Sequence, residues 1–133
     1  LMFQKEVAER IIAKSNTSKY GRLSILSNWK LNIKKIMDIK PLSFSPRPKV
    51  DSTLLLFTPK KKIFYLKDAK NLEMITRIFF SQRRKMLKKP FNQVFNNANK
   101  IAEKFDINLN LRPQNLEPEI YFELVKEYES LRS

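Results

Sequence analysis

Phe44-Ser45-Pro46-Arg47-Pro48-Lys49-Val50-Asp51-Ser52 runs straight into Thr53-Leu54-Leu55-Leu56-Phe57, and this junction decides how the chain is read. Two prolines one residue apart fix their own φ angles and push Ser45 and Arg47 toward extended geometry. The outcome is a stiff arm with an aromatic ring at one end and a strand at the other. The uninterrupted apolar run after Ser52 suits a strand buried on both faces. Phe44 itself has two readings. It is either a core residue after a turn, or an exposed ring beside cations, placed to grip an unstacked base.

Upstream of the arm, Ile33–Ile39 is short and β-branched and is followed by Pro41, which predicts a strand. Before it, Tyr20, Leu23, Leu26 and Trp29 recur every three residues and predict a short helix. Residues 2–14 carry Phe3, Val7, Ala8 and Ile11 at helical spacing, with Lys5, Glu6, Glu9 and Arg10 on the other side, and predict a first helix. Glu6 and Glu9 lie one turn apart and read as a solvated face. Residues 1–59 thus read as helix, helix, strand, arm, strand, which resembles the end of a larger α/β sheet. Leu1 begins inside an amphipathic pattern, so the chain is expected to be a piece of a longer protein with an exposed, association-prone sheet edge.

Beyond Pro59 the pattern changes. Lys60-Lys61-Lys62 opens a basic linker, residues 60–65, and no further strand pattern follows. Leu72, Ile75, Thr76 and Phe79 define one helix face. Phe91, Val94, Phe95, Ala98, Ile101, Ala102 and Phe105 sustain a longer one, with Pro90 near its start. Pro118 fits the first turn of a final helix carrying Tyr121, Leu124, Val125, Tyr128 and Leu131. Residues 66–133 are therefore expected to be all-helical.

Of the 133 residues, 27 are Lys or Arg and 13 Asp or Glu, and the formal net charge of +14 favours a polyanion: RNA, DNA or an acidic membrane surface. The charge is uneven, with eleven basic residues against Asp68 and Glu73 in residues 60–89 and a net negative charge after Glu117. The chain has no cysteine and no histidine, which excludes Ser–His and Cys–His nucleophilic machinery and Cys/His zinc sites. With Gly21 the one glycine, a glycine-rich phosphate or dinucleotide loop is excluded too. No apolar run approaches the ~20 residues of a membrane span. No metal and no membrane partner are expected, and the chain is read as cytoplasmic and monomeric.

The second notable cluster is Phe79-Phe80-Ser81-Gln82-Arg83-Arg84-Lys85-Met86-Leu87. Three consecutive cations after an apolar helix face either complement the helix dipole or form a phosphate clamp on a structured RNA. Arginine's planar fork suits the second role.

Four ordered motifs carry a resemblance across nearly the whole chain. They are Gln4-Lys5-Glu6-Val7-Ala8-Glu9-Arg10; Tyr20-Gly21-Arg22-Leu23-Ser24; Phe44-x-Pro46-x-Pro48-Lys49-Val50-Asp51-Ser52; and Phe80-x-Gln82-Arg83-Arg84-Lys85-x-Leu87. Arg112-Pro113-x-Asn115-Leu116 adds to them. Together they resemble the small-subunit ribosomal RNA adenine N6-dimethyltransferase family, in its C-terminal portion. The resemblance implies that residues 1–59 are the tail of a Rossmann-like methyltransferase domain: the helix after its fifth strand, then its sixth and seventh strands. Residues 66–133 would be the helical C-terminal RNA-binding domain.

In such enzymes S-adenosylmethionine methylates two adjacent adenines near the 3′ end of the small-subunit RNA, on the pre-30S particle, during ribosome biogenesis. The resemblance implies that Phe44 stacks on the target adenine and that Lys49, Arg83, Arg84, Lys85 and, more weakly, Arg22 contact RNA. Arg47 stands where the family commonly has a further proline, and Glu117 where a serine cap is common. The family's cofactor loop and catalytic Asn-Leu-Pro-Tyr turn match nothing in this chain, so it is expected to be inactive alone. The alternatives are the related large-subunit RNA methyltransferases of macrolide resistance and a non-catalytic RNA-binding or ribosome-assembly remnant.

Overall fold

The computed structural model of the chain describes residues 1–40 and 51–132. Strands β1 (Met2–Gln4), β2 (Leu31–Ile39) and β3 (Ser52–Pro59) form one sheet in the order β1-β3-β2, with β3 antiparallel to both neighbours. Residues 2–4 are therefore not the start of the first helix, as their spacing suggested, and the sheet has three strands rather than two. Three residues cannot display a period. What makes them a strand is pairing with β3, where Phe3 faces Thr53 and the two ends are closed by Leu1 N donating to Leu55 O.

Helix α1 (Lys5–Ile12) follows directly and covers one face of the sheet. Ala8 and Ile11 pack on Leu55, with Phe3, Val7, Ile12, Ile33 and Phe57 around them. The Phe3 and Phe57 rings meet edge to face at 5.9 Å, a favoured aromatic geometry. Strand β3 was expected to be buried on both faces, but it alternates. Thr53 and Leu55 are buried toward α1, whereas Leu56 points away and is half exposed, because within the described residues only one face of the sheet carries a helix.

Helix α2 (Arg22–Asn28) lies in sequence between α1 and β2, but Tyr20 and Ile25 belong to the larger core built by the helices that follow Pro59. Those are α3 (Ala69–Phe80), α4 (Lys88–Val94), α5 (Ala98–Lys104) and α6 (Pro118–Arg132), with a 3-10 turn at Pro113–Asn115. Leu72, Ile75 and Phe79 of α3, Phe91 and Phe95, Ile101 and Ala102, and Tyr121, Leu124 and Val125 of α6 fill this core. Asp68 caps α3 by accepting from Lys70 N at 2.9 Å, and Pro118 sits in the first turn of α6, where its missing N–H is harmless.

The long helix expected across Phe91–Phe105 is broken. Phe95 is extended (φ −120, ψ 134) and Asn97 ends the gap before α5. Asn96 and Asn97 are residues whose side chains compete with helical backbone bonds. The break lets Phe91 and Phe95, as well as Ile101 and Ala102, reach the same core.

Candidate nucleic-acid interface

The C-terminal end of α3 is fixed by aromatic packing. Phe79 lies 5.4 Å from Phe91 and 5.6 Å from Tyr121, while Phe80 lies 6.2 Å from Tyr20 and 5.7 Å from Tyr121. Both tyrosines have buried rings whose hydroxyls need acceptors. Tyr20 donates to Leu116 O at 2.6 Å and Tyr121 to Pro113 O at 2.7 Å, so the two clamp the turn before α6. Burial pushes both phenols well above the ordinary range. Glu119 and Glu117 add to the effect at Tyr20, and Tyr20 adds to it at Tyr121 against an opposing pull from Arg83.

On this platform Arg83 stacks its guanidinium 5.8 Å over the Phe80 ring and reaches across to Gly21. The loop between α1 and α2 is bound to the 3-10 turn: Asn16, in the left-handed region at φ 70, donates its N–H to Gln114 O, and Asn115 Nδ2 donates to Asn16 Oδ1, both at 2.8 Å. Asparagine is among the residues that tolerate this backbone best. Arg112 N donates to Asn115 Oδ1 at 2.8 Å. Together these contacts form a cleft of about 500 Å³ lined by Arg83, Arg84, Arg112 and the polar side chains of Asn16, Thr17, Ser18, Gln114 and Asn115. Planar, permanently charged forks among hydroxyls and amides form a chemistry suited to phosphate and sugar oxygens. A second cleft of about 420 Å³, beside Lys14, Glu117 and Glu119, has the wrong sign for a polyanion.

A model of the Ribosomal RNA adenine dimethylase family matches residues 1–130. The chain belongs to this family. It is 78% identical over 132 residues to Ribosomal RNA small subunit methyltransferase A of Pelagibacter ubique (strain HTCC1062), which takes in 99% of this chain and 50% of that protein. It is 40% identical over 131 residues to the protein of the same name from Wolbachia pipientis wMel, covering 98% and 46% of the two chains. The chain thus spans about half the length of the curated relatives it matches. A crystal structure of a dimethyladenosine transferase from Plasmodium falciparum superposes with a TM-score of 0.79 at 29% identity, covering 98% of this chain and 57% of that one. The 23S rRNA methyltransferase ErmE shares the fold alone, at TM-score 0.60 and 16% identity over 96% of this chain and 52% of its own. The fold in common is an α/β, Rossmann-like methyltransferase architecture.

In this member of the dimethylase family, the residues expected to bind RNA are distributed in a way their order conceals. Arg83 and Arg84 line the arginine cleft, but Lys85 turns to different concavities beside α4. Arg22 is engaged structurally: its NH2 donates to Glu73 O at 2.9 Å and its Nε to Thr76 Oγ1 at 3.4 Å, bracketing α2 to α3. Ser24 of the same motif donates to Arg10 O and accepts from Gly21 N. The motif around Gly21 is thus a joint between elements. Arg112 joins the cleft although its charge, far from the others in sequence, gave no signal beyond its motif.

Phe44 and Lys49 lie outside the described residues, whereas the residues on either side of their segment are described. Ile39 pairs with Ser52, and Asp38 accepts from Thr53 Oγ1 at 2.8 Å and from Lys35 Nζ at 3.0 Å. Hydrogen bonds from Lys35 and then Thr53 hold the Asp38 carboxyl below its usual range. Lys5 N donates to Asp51 O at 2.9 Å and ties the residue before β3 to the start of α1.

S-adenosylmethionine, which such methyltransferases use, finds no cradle among the described residues. A Rossmann-like cofactor site needs a glycine turn between a strand and a helix, and Gly21 instead follows a loop, with Arg83 against it. Also among the described residues, no group of acidic side chains could hold a metal ion, and no helix is long and apolar enough to cross a membrane.

Proposed function

We propose that the chain is the RNA-gripping portion of an S-adenosylmethionine-dependent small-subunit ribosomal RNA adenine N6-dimethyltransferase, acting on two adjacent adenines near the 3′ end of that RNA during ribosome biogenesis in the cytoplasm. The observation that carries this reading is the arginine cleft, where Arg83, Arg84 and Arg112 converge from two elements far apart in sequence. Residues 1–59 then serve as the end of the methyltransferase domain, 60–65 as a basic linker and 66–133 as the helical RNA-binding domain.

Each residue's part follows from its position. The guanidinium groups of the cleft, with Lys49 and Lys85, neutralise phosphates and orient the RNA. Arg22 acts through its bracket, holding α2 and α3 so that the cleft keeps its shape. Phe44, in the segment between the residues that make the Asp38–Thr53 and Lys5–Asp51 hydrogen bonds, stacks on the target adenine once it leaves its helix. The cofactor, when bound elsewhere in the intact protein, supplies the methyl group. The chain alone neither binds it nor methylates RNA.

The test is RNA binding by the 133-residue chain to a transcript of the small-subunit 3′ region across a salt series. Arg83→Ala with Arg84→Ala is expected to weaken binding and to reduce the log–log salt slope by about 2. An unchanged slope would return both arginines to helix-end capping. The assembly-remnant reading is favoured instead if the parent protein binds RNA equally well yet transfers no methyl group.

A further inference from the structure

The turn between α3 and α4 has a second working side. Leu87 is fully buried, its N–H donates to Leu111 O at 2.8 Å, and its carbonyl accepts from Phe91 N at 3.0 Å. With Leu87 anchored inward, its neighbour Met86 is left 53% exposed. Around Met86 lies an open concavity of about 530 Å³ lined by Lys85, Lys88, Lys89, Asn92 and Gln93. Lys88 and Asn92, like Lys89 and Gln93, are four residues apart on α4 and lie on one face, so a cation and an amide repeat in two rows. No carboxylate occurs in the sequence between Glu73 and Glu103, and no ion pair among the described residues involves Lys85, Lys88 or Lys89.

We propose that this face docks across the minor groove of an RNA double helix, as a contact separate from the arginine cleft; the proposal rests on the reading that this chain binds RNA. The A-form minor groove is wide and shallow and displays 2′-hydroxyls and base edges between two phosphate rows. The lysines meet the phosphates. Asn92 and Gln93 carry both donors and acceptors, which a 2′-hydroxyl can satisfy in either sense. Met86 supplies a flexible apolar contact to ribose and base edges, a use of methionine seen in groove-binding proteins. Single strands are held by exposed aromatic platforms, and this face has none. A membrane-surface helix needs a continuous apolar side, and here Met86 stands alone.

The experiment uses the full 133-residue chain and an RNA duplex of about 16 base pairs, a typical double-stranded-RNA footprint. The DNA duplex of the same sequence and one of its RNA strands serve as comparison probes. Peroxide oxidation of the methionines is followed by peptide mass. The RNA duplex is expected to slow oxidation of Met86 severalfold while leaving exposed Met2 and Met37 unchanged, with weaker protection by DNA and by the single strand. Lys88→Ala with Lys89→Ala should lower the salt slope by about 2, and Asn92→Ala with Gln93→Ala should reduce the preference for RNA over DNA. Equal protection by DNA, or better protection by the single strand, overturns the groove assignment. An unprotected Met86, in a chain whose duplex binding still depends on Arg83 and Arg84, overturns this face while sparing the arginine cleft. No duplex or transcript binding at all would defeat both.

Discussion

At the scale of single residues, Phe44 and Glu129 call for two different tests. Phe44, proposed to stack on the target base, belongs to a segment whose described flanks are joined by the Ile39–Ser52 pair and the Asp38–Thr53 hydrogen bond. Stacking of one base on an aromatic ring is typically worth ~1–3 kcal/mol, small beside the many phosphate contacts of a large RNA. In the intact protein, Phe44→Ala is therefore expected to lower methylation more than RNA affinity. Equal losses in paired turnover and binding assays would make Phe44 a structural residue only. Glu129 is the opposite case, a buried carboxylate held by donors: Lys67 N at 2.9 Å, Asp68 N at 3.0 Å and Asn71 Nδ2 at 2.8 Å. Burial by itself would raise its carboxyl. The three donors outweigh burial and hold it below the ordinary value of 4.5. The stabilisation is thus fully present above that value and is lost as pH falls through the lowered one. Glu129→Gln should cost about 1–3 kcal/mol near neutrality by leaving a buried donor unpaired. The gap to the parent chain should narrow in acid, measured by urea unfolding at several pH values. A gap that stays constant into acid would exclude a charged Glu129 as its source.

At the scale of elements, what could be read from sequence was what local pattern determines. The apolar run after Ser52 and the β-branched stretch at Ile33–Ile39 became β3 and β2, and the three-residue recurrence from Tyr20 became α2. The misses share a physical origin in long-range contacts. Met2–Gln4 is a strand because β3 offers it a partner some fifty residues away, information that no window around residue 3 contains. The apolar periodicity from Phe91 to Phe105 continues through the break at Phe95–Asn97, since both halves bury residues in one core and the pattern records burial rather than continuity. The candidate site divides in the same way. Adjacency grouped Arg83, Arg84 and Lys85, but the turn anchored by Leu87 sends Lys85 to α4 and leaves the arginines with Arg112. Asn16 joined the cleft through a left-handed backbone and two hydrogen bonds to residues near 115, which its loop composition could not announce.

At the scale of the molecule, all three strands of the sheet precede residues 60–65, but the two cores do not divide there. Tyr20 and Ile25, which precede β2, are buried in the helical core. Trp29 donates its Nε1–H to Phe64 O at 2.7 Å, Arg22 brackets α2 to α3, and Tyr20 holds Leu116 O. Among the described residues the smaller core under the sheet has three buried members, Ala8, Ile11 and Leu55, and Ser24 joins α2 to the carbonyl of Arg10 at the end of α1. A core that small is marginal by itself, because small units bury too little of their surface to offset chain entropy. The sheet end should therefore unfold with the helices rather than before them. Trp29, the one tryptophan in the chain, reports this joint directly. Urea unfolding followed by Trp29 fluorescence and by far-ultraviolet circular dichroism is expected to give superimposable transitions. Arg22→Met, which removes the bracket to Glu73 and Thr76 but keeps a long side chain, should shift both curves together to lower urea. Separation of the two curves in the parent chain would show that α2 lets go of one core while the other persists. The arginine cleft, whose walls come from either side of this joint, would then be present only when RNA draws the two together.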